Sequence, residues 1–210
     1  MNTYHKINSL YKRDPKTHAF IPELSDNEVA VIGGWVGEEK IDGTNIRVHY
    51  NPFAKTVEFG GRTDNAQIPA NLFKFLQQHF TPELFKEFEL PVTLYGEGVG
   101  KKIQKDSHLY LPEGQDYGFI LFDVALGDYL VDIQIVTELA KKLGVPRATI
   151  IMAGSLDDAE RLVKIGFVSS FSSKKMAEGL VIKTPMPVYN KYGKRIITKL
   201  KYADFHPKTK

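Results

Sequence analysis

The spacing of apolar and polar positions changes period repeatedly along this chain. An apolar run predicts a strand from Val29 to Val36. Two more, Ile46 to Tyr50 and Thr56 to Phe59, flank the turn signal Asn51-Pro52 and read as a hairpin just after Lys40. Leu72, Phe73, Phe75 and Leu76 then fall at helical spacing within Asn71 to His79, and Pro82 opens a second short helix predicted to reach Phe88. Strands return at Val92 to Gly96 and Gly118 to Val124, separated by a polar loop. Ile133 to Leu143 has helical spacing and stops at Gly144, while Ser155 with Asp158 forms a capping-box start for a helix through Ile165. Gly179 to Lys183 and Arg195 to Tyr202 read as closing strands. Strands grouped in hairpins with helices inserted between them predict an α+β fold of mainly antiparallel sheet, rather than a doubly wound parallel one.

Composition narrows the function classes. With 210 residues, the chain has the length of one large domain, read here as a single unit over 1–210. Nothing approaches the ~18 to 20 continuous apolar residues of a membrane span, and Met1 to Tyr11 lacks the apolar centre of a signal peptide, so the expected location is the cytoplasm, away from any membrane. The absence of cysteine removes disulfides, thiolate zinc sites and a thiol nucleophile. The six histidines are scattered without ligand spacing. A net charge of only +3 confines any nucleic-acid contact to local clusters, of which Lys101, Lys102 and Lys105 form one and the stretch from Lys191 to Lys201 another.

The chemistry gathers around Glu38-Glu39-Lys40-Ile41-Asp42-Gly43-Thr44-Asn45, which sets a lysine between a predicted strand and a turn that Gly43 can make. A lysine that attacks phosphorus needs a neutral amine, favoured by nearby cations or desolvation, and Lys199 and Lys201 are the candidate cations. Lys-x-Asp-Gly alone also fits an exposed turn. The downstream series is more specific: Gly60-Gly61-Arg62-Thr63, Leu94-Tyr95-Gly96-Glu97-Gly98, Phe119-Ile120-Leu121-Phe122-Asp123-Val124, Glu178-Gly179-Leu180-Val181-Ile182-Lys183 and Lys199-Leu200-Lys201, in that order. Each residue has a structural reading too, with Phe122 as strand core, Glu178 as a solvated turn and Lys199 with Lys201 as one face of an edge strand.

Taken together, from about Trp35 to Tyr202, the series resembles the motifs of the covalent nucleotidyltransferase superfamily of ATP-dependent DNA ligases, RNA ligases and mRNA capping enzymes. Gly43-Thr44-Asn45 is similar to RNA ligases of the double-strand-repairing phage type, with asparagine where DNA ligases and capping enzymes usually carry arginine. The resemblance implies a nucleotidyltransferase (ATP-grasp-like) domain. It implies Lys40 as the nucleophile forming lysyl-AMP, and Asn45, Arg62, Glu97 and Phe122 as nucleoside-binding residues, with Phe122 stacking on adenine. Lys183, Lys199 and Lys201 are implied on the triphosphate and Glu178 at a divalent metal, Mg²⁺ or Mn²⁺, beside ATP.

The implied partners are RNA ends, nicked or single-stranded, ahead of DNA, together with an accessory nucleic-acid-binding protein. The chain ends nine residues beyond Lys201, so the sequence predicts neither the oligonucleotide-binding barrel of DNA ligases nor the C-terminal helical domain of the phage enzymes. A minimal ATP-dependent DNA ligase and a non-catalytic nucleotide- or nucleic-acid-binding module with this fold are the alternatives.

Overall fold

A computed structural model describes residues 2–17 and 19–206. Of the scattered histidines, His18 lies outside the described residues, as do the chain's first residue and 207–210. Two compact units emerge, Met1–His5 with Ile41–Ala148 (the first unit) and Lys6–Lys40 with Thr149–Lys210 (the second).

The chain begins the second unit with short strands β1 (Asn8–Ser9), β2 (Tyr11–Arg13) and β3 (Phe20–Leu24), a 3-10 helix over Asn27–Val31, and β4 (Trp35–Glu39). It then builds the first unit from β5 (Thr44–Asn51), β6 (Thr56–Gly60), α1 (Ala70–His79), β7 (Val92–Gly100), β8 (Tyr117–Leu126), β9 (Tyr129–Leu130) and α2 (Ile133–Leu143). Returning, it completes the second unit with β10 (Ile150–Gly154), α3 (Leu156–Ile165), β11 (Gly179–Lys183), β12 (Ile197–Lys201) and α4 (Tyr202–Phe205). No described helix is long and apolar enough to cross a membrane.

The first unit is a five-stranded antiparallel sheet in the order β6-β5-β7-β8-β9. Alternation turns Ile46, Val48, Leu94, Phe119, Leu121 and Val124 to one face, where they pack with Leu72 and Leu76 of α1 and Val136, Ala140 and Leu143 of α2. Full burial of side chains of this size contributes roughly 1.5–3 kcal/mol each. The second unit's larger sheet has the order β1-β12-β11-β4-β10 and is antiparallel except for the β1–β12 pair. Trp35, Leu180, Ile182 and Leu200 form its apolar face against Ala159 and Val163 of α3. The α+β, mainly antiparallel class expected from the sequence is the class observed.

Three segments differ from the pattern-based expectation. Val29 to Val36 is not one strand: Val29 is buried in a 3-10 helix, and strand pairing starts only at Trp35, after Gly33-Gly34. An apolar run without a clear period does not distinguish a strand from a buried helical turn. The strand begun at Val92 continues through Gly96 to Gly100, because Gly96 is a packing position rather than a break. A Cβ there would lie 2.3 Å from the Phe119 ring. Pro82 starts only a 3-10 turn, Pro82–Phe85.

The caps read from sequence are present. Ser155 Oγ accepts from the Asp158 N–H at 3.1 Å, and Asp158 Oδ2 accepts from the Ser155 N–H at 3.0 Å. Gly144 ends α2 with φ 65°. At the other end of α2, Asp132 Oδ1 accepts from the N–H groups of Gln134 and Ile135 at 2.8 and 2.9 Å. Asp132→Ala removes both hydrogen bonds, so urea denaturation should show a loss of about 1 kcal/mol; an unchanged midpoint would mean that this cap contributes nothing.

Candidate active site

In the second unit, paired strands put like-facing residues in rows. Glu38 stands opposite Val181, which stands opposite Lys199; Val36, Lys183 and Ile197 form the next row; Gly179 pairs with Lys201. Glu38, Lys183, Lys199 and Lys201 therefore share the sheet face opposite the apolar core. Lys40 follows β4 directly, its main-chain N–H bonded to the Gly179 carbonyl at 2.9 Å.

Glu178, immediately before β11, joins this row. Its Oε2 lies 2.6 Å from Lys40 Nζ and its Oε1 2.6 Å from Lys201 Nζ. Burial alone would raise the Glu178 pKa, but the Lys40 charge, the hydrogen bonds from Lys201 and Lys40 and the Lys201 charge bring it below the ordinary value. Lys199 moves downward, first through burial and then through repulsion from Lys40 and Lys201, against an opposing pull from Glu178. Four predicted residues, Lys40, Glu178, Lys199 and Lys201, thus meet in one electrostatic cluster.

Lys183, on the same face, has a different partner. It is buried with its Nζ 2.8 Å from Glu38 Oε2, and both side chains are almost wholly removed from solvent. Such a pair is held by its partner and hydrogen bonds, because either charge alone in that setting is costly.

In the first unit, Asn45 on β5 is directly opposite Glu97 on β7. Gly43 permits this close approach of chain segments, since a Cβ there would come within 2.5 Å of the Gly98 carbonyl oxygen. Asn45 Oδ1 is buried and accepts no hydrogen bond from a described residue. Phe122 sits at a β-bulge: Tyr95 pairs with Asp123 and Gly96 with Leu121, leaving Phe122 as the extra residue on β8. The bulge shifts the alternation, so Leu121 and Val124 both reach the core while Phe122 stays half-buried. Tyr4 packs edge-on against the Phe122 ring at 5.0 Å and donates its hydroxyl proton to Asp123 Oδ2 at 2.5 Å. Arg62 is exposed in the loop after β6.

Several contributors carry no clear signal in the motifs. Arg47, 1% exposed, donates from Nε to the Gly61 carbonyl at 2.6 Å and from its guanidinium to Asp64 Oδ1 at 2.8 Å, pinning the loop that carries Arg62. Arg47 falls at a polar position of an alternating strand, where the sequence reads as solvent-facing. Glu39 Oε2 accepts from the N–H and Oγ–H of Ser170 at 2.8 and 2.6 Å, while its buried Oε1 accepts from no described residue. Its place beside Lys40 was the only hint. Nothing in the sequence pointed to Tyr4.

Each unit holds a buried acceptor without a donor among the described residues, Asn45 Oδ1 in the first and Glu39 Oε1 in the second. Asn45 lies on the sheet face turned away from the core, where its acceptor suits a ligand rich in N–H and O–H groups, while Glu39 lies on the face of Trp35 and Leu180. No group of three or more histidine, aspartate or glutamate side chains among the described residues forms a metal cage. Glu178 is the carboxylate of the cluster, and its two oxygens are held by Lys40 and Lys201, so it would meet a divalent ion only in exchange for one of these contacts.

Residues 33–201 match the model of a protein family described as RNA ligase. A search of curated protein sequences returns no match. In structure, the chain is similar to Naegleria gruberi RNA ligase with PPi, at a TM-score of 0.63 and 21% identity over 83% of this chain and 52% of that one. A mutant of that ligase with ATP and Mn gives 0.62 and 21% over 80% and 50%, and another with AMP and Mn gives 0.61 and 22% over 80% and 49%. The chain spans about half the length of these ligases, and the likeness establishes a shared fold.

The clamp on Glu178 has a pH signature. Its folded pKa lies below the ordinary 4.5, so its contribution to stability is complete above that value and is lost as pH falls through the folded value. Glu178→Gln should be less stable than the wild type at neutral pH, with the gap closing in acid; chemical denaturation across pH measures this, and a pH-independent gap would contradict it.

Proposed function

We propose, from the premise that this chain belongs to the RNA ligase family, that it takes AMP from ATP onto Lys40 and passes it to an RNA 5'-phosphate for sealing to a 3'-hydroxyl. The observation that carries this reading is the convergence of Lys40, Lys199 and Lys201 around Glu178 from three separate chain segments.

In the first step, Lys40 Nζ attacks the α-phosphorus of ATP. A nitrogen–phosphorus bond forms, the bond to pyrophosphate breaks, and the amine loses a proton. Nζ donates a hydrogen bond to Glu178, which holds the attacking nitrogen in place. Lys199 and Lys201 stand beside Lys40 in the same cluster, and Glu178 fixes the position of its amine. The same two cations suit the negative charge that grows on departing pyrophosphate. Lys183, held by Glu38, adds a buried positive charge to this sheet face without being a mobile phosphate ligand.

In the second step, a 5'-phosphate oxygen attacks lysyl-AMP and the amine leaves with a proton. In the third, a 3'-hydroxyl attacks the activated phosphate and AMP departs. Asn45, Arg62, Glu97 and Phe122 are the proposed nucleoside contacts. The half-buried bulge position of Phe122 supports stacking, and the buried Asn45 Oδ1 supports hydrogen bonding to a sugar or base donor. Mg²⁺ or Mn²⁺, held by Glu178 and phosphate oxygens, would supply charge neutralisation at the phosphates. Asn45 in place of arginine supports RNA over DNA as the substrate, as in the phage enzymes that this segment resembles.

Incubation with ATP labelled at the α-phosphate and Mg²⁺, followed by a denaturing gel, should leave label on the wild-type chain and none on Lys40→Ala. Label retained by Lys40→Ala would remove Lys40 from the mechanism, and ATP binding without an adduct in the wild type would favour the non-catalytic module.

A further inference from the structure

Between Glu178 and Asp204 the chain carries six lysine or arginine residues and no acidic residue. The middle of this stretch, between β11 and β12, exposes large apolar and aromatic side chains that pack in no core. Tyr192 is 78% exposed, Met186 68% and Tyr189 47%. Single exposed apolar side chains are ordinary, but several gathered on one hairpin mark an interaction surface.

These side chains stand on a built hairpin. The Ile196 N–H bonds to the Val188 carbonyl at 2.8 Å, Tyr189 bridges Arg195, and the Asn190 N–H bonds to the Lys194 carbonyl at 2.9 Å. Gly193, at φ 74°, makes the reversal. Asn190 organises the tip: its Oδ1 accepts from the N–H groups of Tyr192 and Lys194 at 3.0 and 2.9 Å, and its Nδ2 donates to both carboxylate oxygens of Glu28 at 3.0 Å. Lys194 is tied to Asp26 at 2.8 Å. The two nearby acids are therefore used to fasten the hairpin. Lys191 remains at the tip with its Nζ 5.0 Å from the Tyr192 ring centroid.

We propose that this hairpin is a stacking platform for a single-stranded segment of the RNA substrate, with bases lying on Tyr192 and Tyr189 and backbone phosphate meeting Lys191. The identity of the strand rests on the RNA ligase function proposed for Lys40; the platform rests on the hairpin's own geometry. An exposed aromatic beside a cation matches how sequence-tolerant single-strand binding is built, because every base offers a face and every nucleotide a negative charge. At the hairpin itself Lys191 is the exposed cation beside the exposed rings, so a ligand offering both a flat base and a phosphate is favoured over an apolar protein surface.

The test is fluorescence anisotropy of a short single-stranded RNA with a 5'-phosphate and a 3' fluorophore, titrated with the full chain. Tyr189→Ala with Tyr192→Ala should weaken binding by about ten-fold or more. Tyr192→Phe should keep wild-type affinity while Tyr192→Leu does not, and Lys191→Ala should lower the slope of log affinity against log salt by about one. Self-labelling with ATP should survive in all four variants, which verifies their folding. Unchanged affinity in the double variant, equal affinity of the Leu and Phe variants as an apolar protein contact would give, or no RNA binding by the wild type would overturn the proposal. A wild type that binds RNA through these tyrosines but takes no label from ATP would leave the platform standing and remove the enzymatic reading.

Discussion

A single carboxylate organises the candidate site of the second unit. Glu178 holds Lys40 on one oxygen and Lys201 on the other, each at 2.6 Å. Without it, three lysines gathered on one sheet face would repel one another, and the effect reaches Lys199, whose charge is disfavoured by burial and by its two neighbours. The arrangement is a positively charged cluster held together by fewer negative charges than it needs. That imbalance suits a polyphosphate ligand, which would bring the missing charge.

Strand alternation makes this possible in a small structure. In the second unit, one face of β4, β11 and β12 carries Glu38, Lys183, Lys199 and Lys201, while the other carries Trp35, Leu180, Ile182 and Leu200 against α3. The first unit repeats the principle: Ile46, Val48 and Leu94 turn to the helices and Asn45 and Glu97 turn away. Each sheet gives one face to stability and the other to chemistry. The bulge at Phe122 is the local exception, where an extra residue frees an aromatic ring from the core without interrupting the strand.

Much of this was legible in the sequence, for a physical reason. Period-two runs and caps are local, so β5, β6, β11, β12, α1, α2 and α3 follow from spacing alone. The motif lysines and Glu178 were legible as a set through the resemblance of the whole motif series, because adjacent short motifs keep their order along the chain. The hidden features depend on long-range pairing. Arg47 reaches Gly61 and Asp64 across a hairpin, Glu39 meets Ser170 far along the chain, and Tyr4 arrives from the N-terminal segment to meet Asp123. Lys183 reads from sequence as one more phosphate-binding lysine, yet its row places it beside Glu38, where it is buried and paired. The short strands β1 to β3 carry too few residues for a period to show.

The proposed chemistry turns on which atom receives the nucleotide. Peptide mass mapping of the intact chain after incubation with ATP and Mg²⁺, under conditions that preserve phosphoramidates, tests this most directly. Nucleophilic attack by Lys40 predicts an acid-labile AMP adduct on the peptide containing that residue and on no other; an adduct on Lys199, Lys201 or any other residue would contradict it.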